Sequence, residues 1–140
     1  MDNCIFCKII NNEIPSYTIY EDDDVKVFLD ISQVTPGHTL MVPKKHVENI
    51  FEYDSELSEK VLTKIPMIAK AIKKSDKNIE GMNIAMNNGE VAYQTVMHSH
   101  IHFVPKFTLH DDFAISFKDN TEKYTSDQLE QILNNIKENL

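Results

Sequence analysis

Three histidines alternate with other residues late in the chain, at positions His98, His100 and His102. An alternation of period two is typical of a β-strand, because residues i, i+2 and i+4 of a strand point to the same side of its sheet. We therefore predict a strand over residues 95–105 that carries the three imidazoles on one side. The apolar residues of the same run then pack into a core on the opposite side.

The spacing of apolar residues elsewhere predicts an α+β fold with a mainly antiparallel sheet of about five strands. Four further strands are expected over residues 16–21, 25–29, 38–43 and 82–86. A short N-terminal helix, a long central helix and a C-terminal helix are expected over residues 4–10, 55–74 and 126–139. Residues 107–124 have no clear period, which predicts a loop with at most a short edge strand.

The central helix carries an apolar stripe at steps of three and four residues, formed by Leu57, Val61, Ile65, Ile68 and Ile72. Pro66 lies within this pattern and lacks the backbone N–H that a continuous helix needs, so we expect a kink near residues 64–65. In the C-terminal helix, Thr125 and Gln128 have the spacing of a capping box.

Composition narrows the class of protein. The chain has 140 residues, which favours one domain over residues 1–140, and a net charge of −8, which argues against nucleic-acid binding. All 14 basic residues are lysines, so a phosphate would be bound by Lys, His, hydroxyl or backbone N–H groups. No apolar run approaches the ~20 residues of a membrane span, and the N-terminus lacks the pattern of a secretory signal. We expect a cytoplasmic protein without a membrane partner.

The histidine strand admits three interpretations. The imidazoles could be ordinary polar groups satisfied by their neighbours, although three on one side add no packing. They could share one metal ion, but same-side residues lie ~6.6 Å apart along a strand, which places the outer pair ~13 Å apart. In the third interpretation one imidazole is a nucleophile and a neighbour contacts the reacting phosphate.

Polar residues just before this strand indicate a phosphate site. Residues 87–90, Asn-Asn-Gly-Glu, form a turn after the predicted fourth strand, and Gln94 and Thr95 lead into the fifth. Amide, hydroxyl and backbone donors together can bind a phosphate without arginine.

Cys4 and Cys7 have the spacing of half a zinc site, and two further ligands must come from elsewhere in the chain. A redox pair is one alternative, although a redox Cys-x-x-Cys normally follows a strand and only three residues precede Cys4. Two inert thiols are the other alternative.

Residues 94–105 (QTVMHSHIHFVP) resemble the signature of the histidine triad (HIT) family, in which three histidines alternate with apolar residues. Further similarity lies in residues 3–15, 28–31 and 36–46. The resemblance covers about residues 3–107, with residues 108–140 as a C-terminal extension. The nearest branch is that of the bacterial Hit-like proteins, which are related to Hint proteins, and it implies the HIT-like fold.

The resemblance implies a nucleotidyl hydrolase or transferase that attacks the α-phosphate of a nucleoside phosphoramidate or a dinucleoside polyphosphate. The middle histidine, His100, would form a covalent nucleotidyl-imidazole that water cleaves, releasing a nucleoside monophosphate such as AMP. His102 would contact the phosphate and help to protonate the leaving group. His38 matches a histidine that lies behind the triad.

The nucleotide-binding residues that the resemblance implies lie on both sides of these histidines. Asp30 would accept hydrogen bonds from the ribose hydroxyls, and Gln94 would lie near the leaving atoms. Asn87 and Thr95 would contact the phosphate. The base of a purine nucleotide would lie between apolar side chains, namely Phe6, Ile9, Phe28 and Ile31.

For Hit-like proteins with this cysteine pair, the resemblance implies a zinc site formed by Cys4, Cys7, His46 and His98. A Cys2His2 set is closed and tetrahedral, so the zinc would be structural and the chemical step would not require a metal. The resemblance also implies a homodimer.

Two residues depart from the family pattern. Ser99 is polar where the family has a small or apolar residue, and Tyr93 replaces the glycine that commonly precedes the glutamine. Tyr93 would narrow the phosphate loop or add a stacking surface. Either effect leaves the preferred leaving group undetermined. The rival functions are a nucleotide-binding module with incidental turnover and a metalloenzyme that uses the triad as zinc ligands.

Overall fold

A five-stranded antiparallel sheet, with helices on both faces, is the framework of the computed structural model, which describes residues 3–140. The helices are α1 (Ile5–Ile10), α2 (Ser55–Val61), α3 (Ile65–Ser75) and α4 (Ser126–Lys137). The strands are β1 (Thr18–Glu21), β2 (Val25–Leu29), β3 (Thr39–Pro43), β4 (Gly81–Ala85) and β5 (Ile101–Lys106). Their order in the sheet is β1-β2-β3-β5-β4. The α+β fold and the antiparallel sheet predicted from the sequence are confirmed.

Alternating residues of the strands build two separate apolar clusters. On one face, buried residues of β2, β3 and β5 pack against α2 and α3, with Phe103 fully buried among them. On the other face, Phe28 and Leu40 pack against Phe6 of α1. The apolar neighbours of His102, Ile101 and Phe103, lie in the first cluster. The side chain of His102 therefore projects toward the α1 side, because neighbouring residues of a strand point to opposite faces.

The central helical region is interrupted, as the position of Pro66 predicts. Asp54 caps α2 by accepting a hydrogen bond from the Leu57 N–H, and α2 ends at Val61. A 3-10 turn over Leu62–Lys64 separates α2 from α3. Pro66 lies in the first turn of α3, where its missing N–H costs no helical hydrogen bond.

Helix α1 is held on its face of the sheet by Lys26, a lysine of β2 that is only 2% exposed. Its ammonium group donates to the Ile9 carbonyl (2.9 Å) and to the Asn12 side-chain oxygen (3.0 Å), near the end of the helix. A cation is favourable there because the last carbonyls of a helix carry partial negative charge. This contact fixes α1 over β2 and thereby positions Phe6 and Cys4.

The fifth strand begins at Ile101, so the sequence-based prediction of its start is wrong. The other strands begin and end within two residues of their predicted limits. Residues 94–100 run instead beside the segment that follows β3. The Ser99 N–H and the Gln94 side chain both donate to carbonyls of that segment, at 2.7 and 2.6 Å. Because these groups bond to a loop and not to a neighbouring strand, residues 94–100 are irregular.

The C-terminal segment forms no further strand. The short edge strand that the sequence allowed within residues 107–124 is absent, and Asp111 closes a turn there by accepting from the Phe107 N–H at 3.0 Å. Helix α4 has the predicted capping box between Thr125 and Gln128, and every residue of α4 is exposed. Within the described part of the chain, no helix has the length and apolar character needed to cross a membrane.

Candidate active site

His100 lies just before β5, with only 6% of its surface exposed. Its Nδ1 atom is 2.8 Å from the carbonyl oxygen of His98. A carbonyl only accepts hydrogen bonds, so Nδ1 carries the proton and the neutral ring has its lone pair on Nε2. The ring of Phe6 packs edge-on against His100, with 5.0 Å between centroids. A buried imidazole with a fixed tautomer and a free Nε2 lone pair has the arrangement that a nucleophile requires.

His102 and His38 form an imidazole pair beside His100. The Val34 N–H donates to Nδ1 of His38, so a neutral His38 carries its proton on Nε2. This Nε2 lies 3.0 Å from Nδ1 of His102 and donates to it. His102 therefore carries its own proton on Nε2. Because the rings of His100 and His102 are 5.1 Å apart, the pair ends in a proton donor close to the His100 lone pair.

Burial keeps both members of this pair neutral at neutral pH. It lowers the pKa of His102 to about 4, and it lowers the pKa of His38 against the opposing effect of the Asp30 carboxylate. For Asp30 itself, burial opposes ionisation. Hydrogen bonds from the Ser32 amide and hydroxyl outweigh that effect and lower the pKa of Asp30. The site thus places one carboxylate beside two uncharged imidazoles.

An apolar cleft of about 460 Å³ opens between α1 and β2, and Phe6, one of its lining residues, packs against the His100 ring. Its lining includes all the residues predicted for the base and the ribose, namely Phe6, Ile9, Phe28, Ile31 and Asp30. Phe6, Ile9 and Phe28 are also buried in the core, whereas Ile31 is 88% exposed. Ser32 engages Oδ1 of Asp30, which leaves Oδ2 as the freer acceptor for a hydroxyl group.

Several cleft residues were missed from the sequence, among them Ile14, Tyr17, Leu40 and Val96. Leu40 lies directly opposite Phe28 in the pairing of β2 with β3, so the strand register would have found it. The others come from loops, and no periodicity in the sequence marks them.

The two predicted phosphate contacts lie on segments that adjoin the histidines. Asn87 is half-buried and follows β4, whose last residue, Ala85, pairs with His102. Thr95 is exposed in the irregular segment that leads to His100. Thr95 shares a surface depression with Cys4 and His46, and the Asn87 side chain donates to the Tyr93 carbonyl.

Gln94, for which the resemblance implies a position near the leaving atoms, lies in the loop that leads to the histidines. It is 2% exposed, and its carboxamide is fully engaged inside the protein. The oxygen accepts from the Gly89 N–H (2.7 Å) and from the Asn49 side chain (3.4 Å). The nitrogen donates to the carbonyls of Glu48 (2.6 Å) and Val96 (3.0 Å). These hydrogen bonds join the loop before His98 to the segment after β3.

A second cluster joins four potential metal ligands, Cys4, Cys7, His46 and His98, whose ligand atoms all lie within 4.8 Å of one another. Nδ1 of His98 is 3.4 Å from the Cys4 sulfur, 3.6 Å from the Cys7 sulfur and 3.0 Å from Nδ1 of His46. Tetrahedral zinc with ordinary bond lengths separates such ligands by about 3.3–3.8 Å. Nε2 of His98 donates to the Pro43 carbonyl (2.8 Å), which leaves the Nδ1 lone pair facing the sulfurs. The two nitrogen–sulfur separations lie in this range and the nitrogen–nitrogen separation is shorter, and the two thiols and two imidazoles are the donor types that zinc prefers.

The pKa of the Cys7 thiol argues against the alternative that Cys4 and Cys7 are a redox pair. Burial, followed by the neighbouring Cys4, raises the pKa of the Cys7 thiol to about 11. Redox-active cysteine pairs have the opposite property, a lowered thiol pKa. A single metal ion held by the whole triad is also disfavoured, because His98 turns toward the cysteines and His100 bonds to a backbone carbonyl.

Asp30, His38 and His102 form a further group of potential ligand atoms within 4.8 Å. The hydrogen-bond assignment above places a proton on Nε2 of His38 and directs it to Nδ1 of His102. Those two atoms are hydrogen-bonded to each other, so the two imidazoles form a bonded pair with Asp30 beside it, which disfavours a metal ion at this group.

The depressed pKa of His102 predicts a pH dependence of stability. As the pH falls from about 7 toward 4, the unfolded chain binds a proton near the ordinary value of 6.5, before the folded chain does. The stabilisation from neutral His102 is thus complete above pH 6.5 and is lost as the pH approaches 4. Between pH 7.5 and pH 4.5, the free energy of unfolding measured in urea should fall by about 2 kcal/mol less for His102→Gln than for the wild type. His110 is exposed, so His110→Gln serves as the control. An equal fall in the free energy of unfolding of all three proteins would contradict the lowered pKa of His102.

One family model and several known proteins resemble this chain over most of its length. The HIT domain model matches residues 11–109. Protein hit of Bacillus subtilis is 45% identical over 139 residues, which are 99% of this chain and 95% of that protein. The crystal structure of a member of the HIT family from Bacillus subtilis superposes with a TM-score of 0.94 at 44% identity, covering 99% and 97% of the two chains. An adenosine 5′-monophosphoramidase of Candida albicans is 36% identical over 107 residues, which are 74% of this chain and 70% of that enzyme. The chain therefore belongs to the HIT domain family.

Proposed function

We propose that this protein is a nucleotidyl hydrolase or transferase that cleaves the bond between the α-phosphate of a purine nucleotide and its leaving group. The observation that carries the proposal is the orientation of His100, whose Nδ1 bond to the His98 carbonyl leaves the lone pair on Nε2. The Phe6 ring that packs against His100 also lines an apolar cleft that contains Asp30. A module that only binds nucleotides needs no such imidazole. The name of the Candida albicans relative, an adenosine 5′-monophosphoramidase, supports a substrate of the nucleoside phosphoramidate class.

The proposed reaction has two steps at phosphorus. Nε2 of His100 attacks the α-phosphorus, and the bond from phosphorus to the leaving nitrogen or oxygen breaks, with its electron pair moving to the leaving atom. A water oxygen then attacks phosphorus, and the electron pair of the P–Nε2 bond returns to His100. In the intermediate the imidazole is positively charged, and the His98 carbonyl that accepts from Nδ1–H stabilises this charge.

The leaving atom also requires a proton. An anionic substrate favours uptake of one proton at Nδ1 of His38, in place of the 3.4 Å bond from the Val34 N–H, and Asp30 lies 3.7 Å from His38 to balance the added charge. His102 gives its Nε2 proton to the leaving atom while Nδ1 receives the proton of His38. The water that attacks in the second step returns one proton to the pair, so the protons balance over the cycle.

The remaining contacts position the nucleotide. The cleft beside Phe6 and Phe28 holds the planar base, and Oδ2 of Asp30 accepts from the ribose hydroxyl groups. Asn87 and Thr95 donate to the phosphate oxygens. The Gln94 carboxamide is hydrogen-bonded inside the protein, so we assign it none of these contacts.

The cluster of Cys4, Cys7, His46 and His98 would hold a structural zinc ion. Its four protein ligands complete a tetrahedral shell, and such a closed site crosslinks the chain without activating a water molecule. When bound, the ion would join α1, the segment after β3 and the segment before β5. These are the segments that set the position of His98, whose carbonyl orients His100.

The homodimer implied by the resemblance stays a prediction. Two features of the chain are compatible with it: β4 is an edge strand of the sheet, and its Ile84 side chain is 45% exposed. An edge strand with an exposed apolar residue offers main-chain and side-chain groups to a second copy.

The nucleophile can be identified by intact-protein mass spectrometry during turnover of adenosine 5′-phosphoramidate. The wild type should carry a transient adduct of one AMP, because the two steps pass through a phosphorus–nitrogen bond to His100. His100→Ala should show no adduct and lose at least about 10³-fold in kcat, since no other group replaces the covalent step. The exposed His110→Ala should behave like the wild type.

Two outcomes of that experiment contradict the proposal. Equal turnover by the wild type and His100→Ala would exclude His100 as nucleophile and favour direct attack by water. Tight nucleotide binding without turnover in the wild type would favour a nucleotide-binding module.

Zinc content can be measured separately from activity. Elemental analysis should find one zinc per chain in the wild type and His110→Ala, and less than about a tenth of that in Cys7→Ser, because three ligands bind zinc far more weakly than four. The unfolding midpoint of Cys7→Ser should no longer respond to added zinc. A wild type purified without a chelator that contains no zinc and gains no stability from it would contradict the metal site.

A further inference from the structure

Tyr93 has a left-handed backbone conformation, with φ at 70°, while 84% of its surface is exposed. This conformation is unfavourable for a residue with a Cβ atom, and glycine adopts it freely. The exposed ring buries little apolar surface that would offset the cost. The chain thus keeps a tyrosine where glycine would be less strained, and the fold does not explain the ring.

The backbone of Tyr93 is nevertheless firmly held. Its N–H donates to the Glu90 carbonyl (3.0 Å), and its carbonyl accepts from the Asn87 side chain (3.5 Å). The next residue, Gln94, is buried and has every group of its carboxamide engaged. Tyr93 is therefore an exposed ring on a fixed support, which lowers the entropic cost of using it to bind a ligand.

The sheet relates this ring to the path of the substrate. One row of directly paired residues crosses the sheet from β2 to β4: Phe28, Leu40, His102 and Ala85. Neighbouring strands are ~4.8 Å apart, so the base cleft at β2 and the chain that follows β4 lie on opposite sides of His102. A nucleotide with its base in the cleft and its α-phosphate at His102 would direct its leaving group toward the segment after β4. Tyr93 lies on that segment, where its carbonyl accepts from the side chain of Asn87, two residues after Ala85.

The charge of this segment narrows the kind of leaving group. Residues 86–97 contain one acidic residue, Glu90, and no lysine, arginine or histidine. A leaving group that carries further phosphates would find no cation there. The exposed apolar side chains of this segment are the Tyr93 ring, Val91, which is 99% exposed, and Met97, which is 40% exposed. Such a surface suits an uncharged planar group.

We propose that Tyr93 is a specificity-determining residue that stacks on the leaving group and selects amines that carry an aromatic ring. The inference rests on the proposed nucleotidyl transfer and names the substrate class of the same site: adenosine phosphoramidates of aromatic amines. The amine leaves with the electron pair of the phosphorus–nitrogen bond and one proton, as in the reaction above. Tyr93 touches only the leaving group and takes no part in the covalent step.

The experiment compares kcat/KM for three substrates: adenosine 5′-phosphoramidate, its tryptamine derivative and diadenosine tetraphosphate. Tyr93→Gly removes the ring and accepts the left-handed backbone, whereas Tyr93→Phe keeps the ring and serves as the matched control. Tyr93→Gly should lower kcat/KM for the tryptamine derivative about tenfold, as expected for one lost stacking contact. The values for the other two substrates should stay within about twofold, and Tyr93→Phe should resemble the wild type with all three.

Each other outcome is informative. An equal loss with the unsubstituted phosphoramidate would show that Tyr93 acts through the loop backbone, and no loss with any substrate would exclude a role for the ring. A fall in kcat/KM confined to diadenosine tetraphosphate would contradict the proposal that the leaving group is an amine with an aromatic ring. Urea unfolding should find Tyr93→Gly as stable as the wild type or more so, which separates a specificity effect from misfolding. If the wild type turns over none of the three substrates, the proposed function itself fails, and the leaving-group site fails with it.

Discussion

The hydrogen bond from Nδ1 of His100 to the His98 carbonyl (2.8 Å) is the contact on which the site depends. It assigns the proton to Nδ1 and leaves the Nε2 lone pair free. In a regular strand that carbonyl would be directed toward a neighbouring strand. Here residues 94–100 leave the sheet and bond to the segment after β3, so the carbonyl is available to the imidazole. The irregular backbone before β5 is thus what orients the candidate nucleophile.

His98 connects this contact to the candidate zinc site. Its Nε2 donates to the Pro43 carbonyl, its Nδ1 faces Cys4 and Cys7, and its carbonyl accepts from His100. One residue therefore serves both clusters with different atoms. The three histidines of the motif differ in role because each meets a different partner: a metal-ligand cluster, a backbone carbonyl and a second imidazole. His102 takes the last of these roles through His38.

The sequence was most informative where one periodicity determines the structure. The alternation around His102 predicted a strand with a core side, although only His102 of the three histidines lies in β5. The position of Pro66 predicted a kink near residues 64–65, where a 3-10 turn separates α2 from α3. The strand predicted to begin at residue 95 is wrong for residues 95–100, because the hydrogen bonds of Gln94 and Ser99 go to residues about fifty positions away in the chain. The resemblance supplied candidate roles, but the internal hydrogen bonds of the Gln94 carboxamide could be seen only in the packed structure.

The tautomers of the site histidines test this account most directly. Nitrogen-15 NMR of the imidazoles at neutral pH distinguishes a protonated ring nitrogen from one with a lone pair. The account predicts the proton on Nδ1 for His100 and on Nε2 for both His38 and His102. A His100 ring with its proton on Nε2 would leave no lone pair facing the cleft and would contradict the central claim.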